Sequence, residues 1–199
     1  DPNSFTGGIG TPAFQLLEKE GFNIVTKKGK IDKTIENYLE EFSEVADEWF
    51  AKQTWLPEHY NFFKSFFTQE KLETATWEDF QKMGNYFHSF KSFAIAKGKA
   101  LGNPNLTIEE YRRIFIYIIS ASDPVNITIN NLFKKHEGSY FLPYFGESTV
   151  SEIIAAAFPA KYVTYNKRDI EALSFLNIPL QNIRGEKFGD TFYRYNESL

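Results

Sequence analysis

The sequence contains no cysteine among its 199 residues. Disulfide bonds, thiol catalysis and zinc sites with thiolate ligands are therefore excluded together. The sequence also has no signal-peptide pattern and no apolar run long enough to cross a membrane. These absences favour a protein of a reducing compartment, so we expect a cytoplasmic location without membrane contact.

Motifs that would carry common enzyme chemistry are also missing. The three histidines, His59, His88 and His136, form no pair at the one-turn spacing of a helical metal site. No serine stands at a recognised motif spacing from a histidine and an acid, and the sequence has no Walker motif. We therefore predict a chain with no catalytic residues, no bound metal and no cofactor.

The formal net charge is −4, but the charge is unevenly distributed along the chain. Residues 1–80 carry 15 acidic and 8 basic side chains, whereas residues 81–199 carry 11 and 14. The stretch 80–107 has no acidic residue at all. Its basic residues are Lys82, Lys91, Lys97 and Lys99. This asymmetry predicts a basic face on an otherwise acidic body.

The chain divides into a short lead-in and one long helical region. Residues 1–6 begin with Asp-Pro-Asn and no methionine, which is typical of a cloning remnant. Residues 7–31 are rich in glycine and lysine and are predicted to be a flexible lead-in. A single helical domain is predicted over 32–199, with a hairpin-containing subregion at 138–199.

Apolar residues recur at helical spacing from residue 32 onwards. The first stripe consists of Ile35, Leu39, Phe42, Val45, Ala46 and Trp49, with glutamates on the other face. Pro57 suits a first helical turn, and Asp123 before Pro124 suits a cap followed by such a turn. Capping boxes are predicted at Thr76 and Thr107. An amphipathic stretch, 188–195, closes the chain.

Two short stretches, 22–25 and 161–165, have the composition of a strand. The rest of the pattern predicts an all-α fold: a multi-helix domain of about seven or eight helices with a C-terminal helix-hairpin-helix-like element.

The 80–101 stretch is predicted to be one helix that alternates rings and cations. Its period assigns Phe80, Phe87, Phe90 and Ala94 to the core and leaves Tyr86 and Phe93 off the main stripe. Lys91, Lys97 and Lys99 either solvate the outer face or supply an electrostatic footprint for nucleic acid.

The segment 142–178 combines a tight aromatic turn, a helix start and a basic turn. Gly146 suits a backbone geometry that a side chain would block, and Ser148 is predicted to cap the next helix. The first-turn amides of that helix carry partial positive charge, so a phosphate could bind there. Three cations, Lys161, Lys167 and Arg168, follow with two tyrosines between them. The alternative is a solvated helix start whose field is damped by neighbouring acids.

The run Leu142-Pro143-Tyr144-Phe145-Gly146, followed by Thr149, resembles the Leu-Pro-Gly-x-Gly-x-x-Thr hairpin of helix-hairpin-helix DNA glycosylases. In that family a turn at a similar distance supplies a catalytic aspartate. Here Asn166 stands at that place. The resemblance therefore implies a retained DNA-contacting hairpin without the glycosylase chemistry.

A second resemblance covers roughly residues 55–178 and is densest in the last third. Gly146-x-Ser148-x-x-Ser151-Glu152-Ile153, then Phe158-Pro159-x-Lys161-Tyr162 and Tyr165-Asn166-Lys167-Arg168, is similar to a segment upstream of the motor in McrB-like restriction ATPases. This resemblance implies a prokaryotic defence protein whose N-terminal region either handles DNA or couples recognition to an AAA+ motor. Its partners would be a nuclease subunit and an AAA+ motor of the same system.

The leading hypothesis is a non-catalytic DNA-recognition or adaptor domain. A protein–protein module that docks a nuclease or motor subunits through exposed aromatics is the alternative, and a glycosylase-type enzyme is a third. The predicted nucleic-acid-binding residues are Gly146, Ser148, Thr149, Lys161, Tyr165, Asn166, Lys167, Arg168, Lys91, Lys97 and Lys99.

Overall fold

The computed structural model describes residues 35–92, 94–102, 105–136, 139–176, 178 and 180–199. These residues form eleven α-helices and one π-helical turn, with no β-strand among them. The helices are α1 Ile35–Lys52, α2 Trp55–Phe66, α3 Gln69–Thr74, α4 Trp77–Tyr86, α5 His88–Ser92, α6 Ala94–Lys97, α7 Ile108–Ser120, α8 Val125–Phe133, α9 Glu147–Ala157, α10 Lys167–Phe175 and α11 Phe188–Glu197. The π-helical turn is Gly98–Gly102.

The predicted all-α class is confirmed, and the stretch 161–165, whose composition resembles a strand, is a turn and loop. The predictions for residues 1–34 and for Phe93 lie outside the described residues. Within the described ranges, no helix has both the length and the apolar character needed to cross a bilayer.

The helices outnumber the seven or eight predicted because the 80–101 stretch is not one helix. Phe87 adopts extended backbone dihedrals, φ −76° and ψ 124°, and separates α4 from α5. This break turns the Phe87 ring into the core, where it stacks on Phe63 with ring centroids 5.3 Å apart. Phe80 and Phe90 are buried as predicted, but Ala94 is exposed because the break changes the phase of the helical pattern.

Two predicted helix starts are confirmed in detail. Thr76 and Asp79 form a reciprocal capping box at the start of α4, and Thr107 and Glu110 form another at the start of α7. Each box satisfies two amides that have no partner within the helix, and losing such a cap typically costs about 1 kcal/mol. The cap predicted at Asp123 is wrong, because α8 is preceded by Pro124 with no capping side chain.

The core is built around α7 and an aromatic cluster from α2 and α4. The α7 side chains Tyr111, Ile114, Phe115 and Ile118 are buried. Phe80 lies 5.0 Å from Phe115 between ring centroids, and Tyr111 donates to the carbonyl of Ala100 at 2.7 Å. The Tyr111 hydrogen bond satisfies the only polar atom of a buried ring and attaches the π-helical turn to the core.

The C-terminal helix α11 packs closely against α8. The backbone of α8 lies so close to Gly189 that a side chain would not fit there. The Gly189 amide donates to Asn130 Oδ1 at 2.9 Å. Asp190 next to it accepts from Asn126 Nδ2 at 2.7 Å. The approach of the two backbones therefore requires glycine at this position.

Substituting Gly189 by alanine tests this packing. The added methyl carbon would lie 2.1 Å from the carbonyl oxygen of Asn126, a backbone atom that cannot move aside. We expect Gly189→Ala to lower the free energy of unfolding by about 1–3 kcal/mol in urea denaturation. The control is Gly98→Ala, where no neighbouring atom lies within 4 Å, and equal losses in both variants would contradict the packing described.

Candidate functional site

One concavity among the described residues is a groove of about 990 Å³ that opens to solvent. One wall comes from α2, α4 and α5 and the other from the segment Tyr144–Thr149 and the turn Thr164–Asp169. The predicted residues that line it are Gly146, Ser148, Thr149, Tyr165, Asn166, Lys167 and Arg168. The fold therefore brings the two ends of the hairpin, separated by α9 in sequence, onto one surface.

The turn that enters α9 has an unusual backbone at Tyr144 and not at Gly146. Tyr144 adopts a left-handed conformation with φ 66°, whereas Gly146 has an ordinary extended φ of −78°. The prediction that Gly146 supplies a special geometry is therefore wrong. The left-handed position is the one at which the glycosylase hairpin has its first glycine, and a tyrosine there costs about 1–2 kcal/mol. Burial of Leu142 and Phe145 on either side holds the turn in place.

The first turn of α9 faces the groove without a side-chain cap. Gly146 is the N-cap residue and has no side chain to accept from the first amides, so the prediction that Ser148 caps this helix is wrong. Glu147 and Ser148 are exposed, and Thr149 is buried. The uncapped amides leave the positive end of the helix dipole turned toward the groove.

A hydrogen-bond cluster joins α9 to α5 across the floor of the groove. The amide of Ser89 donates to Glu152 Oε1 at 3.0 Å, and Ser89 Oγ donates to Glu152 Oε2 at 3.2 Å. Ser89 Oγ also lies 2.9 Å from Thr149 Oγ1. Thr149 is one of the predicted DNA contacts, but its hydroxyl is hydrogen-bonded to Ser89 and so holds the hairpin against α5.

Burial raises the pKa of Glu152, and the hydrogen bonds from Ser89 and the nearby His88 offset part of that effect. The carboxyl is thus held by donors that suit its ionised form, in a place whose desolvation disfavours that form. The Glu152 carboxyl, which belongs to α9, accepts from the Ser89 amide at the start of the short helix α5. A negative charge at that end of a helix is favoured by the helix dipole.

The second turn of the hairpin is held by Ser151 and Asn166. The buried Ser151 hydroxyl donates to the carbonyl of Tyr165 at 3.1 Å and accepts from the Tyr165 amide at 3.2 Å. Asn166 Oδ1 accepts from the amides of Arg168 and Asp169 and so caps α10. The Asn166 side chain also donates to the Asp169 carboxylate. Both polar atoms of Asn166 are therefore occupied within the protein.

The predicted cations are distributed unequally around the groove. Lys167 and Arg168 are exposed and line it, and Lys167 makes a loose 3.8 Å contact with Glu171. Lys99 lies at the rim, 5.8 Å from the centroid of the Tyr144 ring. Lys91 is near enough to His59 to help burial lower the pKa of that histidine.

Of the six predicted cations, Lys167 and Arg168 line the groove, and Lys91, Lys97, Lys99 and Lys161 do not. The Lys97 ammonium donates to Asn85 Oδ1, and Lys161 lies in the exposed turn after α9. The structure thus brings four of the six predicted basic residues to the groove or its immediate surroundings. Three acids, Glu147, Glu152 and Asp169, line the same groove as the two cations Lys167 and Arg168, so the lining side chains sum to −1 with the histidines neutral.

One wall of the groove is aromatic and contains Trp55, His59 and Tyr86. This wall was not predicted from the sequence, although Tyr86 was placed off the core stripe of its helix. His59 contacts Trp55 and Tyr86 edge to face, with centroid distances of 4.9 and 4.8 Å. Tyr86 donates its hydroxyl to Glu58 at 2.9 Å, and this hydrogen bond raises the tyrosine pKa. Trp55 is half exposed, so a flat ring is available at the mouth of the groove.

No group of histidine, aspartate and glutamate side chains within the described ranges has the geometry to hold a metal ion. Comparisons of the chain with protein-family models, with curated proteins and with solved structures find no match.

The raised pKa of Glu152 predicts a pH-dependent contribution to stability. Because the folded state binds this proton more tightly than the unfolded state, the contribution is complete below the ordinary value of 4.5 and is lost as pH rises through the folded-state pKa. The free energy of unfolding of the wild type, measured relative to Glu152→Gln by urea denaturation, should fall across that window. A difference that stays constant or grows with pH would contradict the burial of this carboxyl.

Proposed function

We propose that this chain is a non-catalytic DNA-recognition or adaptor domain that contacts DNA through the groove. One observation carries the proposal: the uncapped start of α9 and the basic start of α10 open onto one solvent-facing concavity. An uncapped helix start offers amide donors to a phosphate oxygen, and the neighbouring cations add attraction that does not depend on sequence.

Electrostatic attraction of DNA phosphates would come from the cations near the uncapped start of α9. Lys167 and Arg168 lie on the wall opposite α2, and Lys91 and Lys99 lie near the rim. Four cations that each neutralise one phosphate give a slope of about −3 to −4 for log affinity against log salt. The acids in the groove reduce this attraction, which predicts contacts at moderate affinity.

The rings of the groove support nucleic acid over a simple anion. Trp55, Tyr86 and Tyr144 are all groove-lining rings, and Tyr144 is more than half exposed. Unpaired bases stack on such rings without sequence preference, while phosphates are held by the cations beside them. The combination matches the chemistry of a nucleic-acid strand along its length.

The proposed function does not include base removal. Asn166 stands where the resembling glycosylases have their aspartate, and it carries no charge with which to stabilise a developing cation. Its oxygen and nitrogen are both engaged in capping α10. The nuclease and AAA+ motor implied by the McrB-like resemblance are part of the same proposal as partners, and the chain itself supplies the recognition surface.

The test is binding of a fluorescent 30-base-pair duplex to the full chain, measured by anisotropy over a range of salt concentrations. We expect Lys167→Glu/Arg168→Glu to weaken binding at least tenfold and to reduce the salt slope by about 2, because two phosphate contacts become repulsive. Acids in a first helical turn favour the helix dipole, so α10 should keep its structure in circular dichroism.

The matched control is Lys134→Glu/Lys135→Glu, an adjacent exposed pair after α8 that does not line the groove. It changes the net charge by the same amount and should leave binding close to that of the wild type. An equal loss in both variants would mean that only net charge matters, and unchanged binding in the groove variant would rule out the groove as the DNA contact.

A further inference from the structure

Helix α1 carries a row of large apolar side chains that the rest of the described fold does not cover. No side chain between Glu36 and Lys52 is buried. Five large apolar side chains of this helix are exposed, from 39% at Phe42 to 59% at Leu39. The stripe predicted from sequence is therefore present on the helix, but it faces outward and lies outside the core.

The exposed side chains form one continuous patch, which we call the α1 face: Leu39, Phe42, Val45, Trp49 and Phe50. The rings of Phe42, Trp49 and Phe50 contact one another edge to face at centroid distances of 5.0–6.1 Å. Exposed apolar patches of this kind, rimmed by charge, mark interaction surfaces in soluble proteins.

The spacing on α1 is that of a helix that packs along another helix. Phe42 and Trp49 are seven residues apart, and Val45 lies between them at the complementary heptad position. With 18 residues, α1 extends for about 27 Å. This is enough for two heptads of side-chain interdigitation with one partner helix.

The charge of α1 identifies the kind of helix that fits. The helix contains six acidic residues, Glu36, Glu40, Glu41, Glu44, Asp47 and Glu48, and a single base, Lys52. Lys52 already pairs with Glu48 at 2.6 Å within the same helix. The apolar face is thus flanked by negative charge along its length.

We propose that the α1 face binds a basic amphipathic helix of a partner protein. Apolar side chains of the partner cover the aromatic row, and its lysines or arginines meet the acids that flank the row. A second copy of α1 fits poorly in either orientation, because it would bring two acidic helices side by side. The proposal is independent of the groove and of whether that groove contacts DNA.

The experiment uses the full chain and two labelled 18-residue peptides that share the same leucine pattern at heptad a and d positions. The other positions are lysine in one peptide and glutamate in the other, and a shuffled leucine–lysine peptide controls for net charge. We expect the patterned lysine peptide to bind at least tenfold more tightly than both others in fluorescence anisotropy.

Two variants separate the apolar and the charged parts of the α1 face. Phe42→Gln/Trp49→Gln should weaken lysine-peptide binding at least tenfold, whereas Ile95→Gln/Val163→Gln, which removes exposed apolar side chains elsewhere, should not. Replacing Glu40, Glu44, Asp47 and Glu48 together by lysine changes the net charge of α1 from −5 to +3, and it should reverse the preference in favour of the glutamate peptide. A circular dichroism spectrum that matches the wild type would show that the reversal does not come from unfolding.

Four results would overturn the proposal that the α1 face binds a basic helix of a partner protein. Equal binding of the patterned and shuffled lysine peptides would reduce the effect to net charge. Self-association in sedimentation velocity that Phe42→Gln/Trp49→Gln abolishes would assign the face to a second copy. Peptide binding that appears only after removal of residues 1–34 would assign it to this chain's own N-terminal segment, and no binding in any form would refute it outright.

Discussion

The groove depends on the hydrogen bonds that Ser89 makes to Glu152. These two residues are 63 positions apart, and their contact holds the hairpin helix α9 against α5 and the aromatic helices behind it. Hydrogen bonds to a charged acceptor are each worth about 1.5–3 kcal/mol, enough to fix the relative position of two elements. Without this contact the Tyr144–Thr149 wall would lose its hydrogen bonds to α5 and would be held by apolar packing, such as the contact of Phe145 with Phe90.

The same interaction limits what the groove can bind. It places a carboxyl among the helix-start amides and cations that line the groove, so an anion is disfavoured beside Glu152. The α1 face has the opposite character, with apolar rings flanked by acids. The chain therefore offers two chemically distinct surfaces: a groove lined by helix-start amides and mixed charges, and an apolar helix face flanked by acids.

The sequence predicts this fold well wherever the signal is local. The capping boxes at Thr76 and Thr107 and the helical periods depend on residues within one turn of each other, and the structure has them as predicted. The break at Phe87 could not be predicted, because it depends on a distant carboxylate that supports a new helix start at His88. The outward direction of the α1 stripe was equally hidden, since periodicity shows that a helix has an apolar face but not what covers it.

Amide-resolved hydrogen exchange on the full chain, alone and saturated with duplex DNA, tests the account most directly. It predicts that the Ser89 amide exchanges slowly in both states, because Glu152 accepts from it across the groove floor. It also predicts that amides 147–149 exchange fast in the free chain and at least tenfold more slowly with DNA, because no side chain caps α9. Fast exchange at Ser89, or DNA protection at 134–136 in place of 147–149, would contradict it.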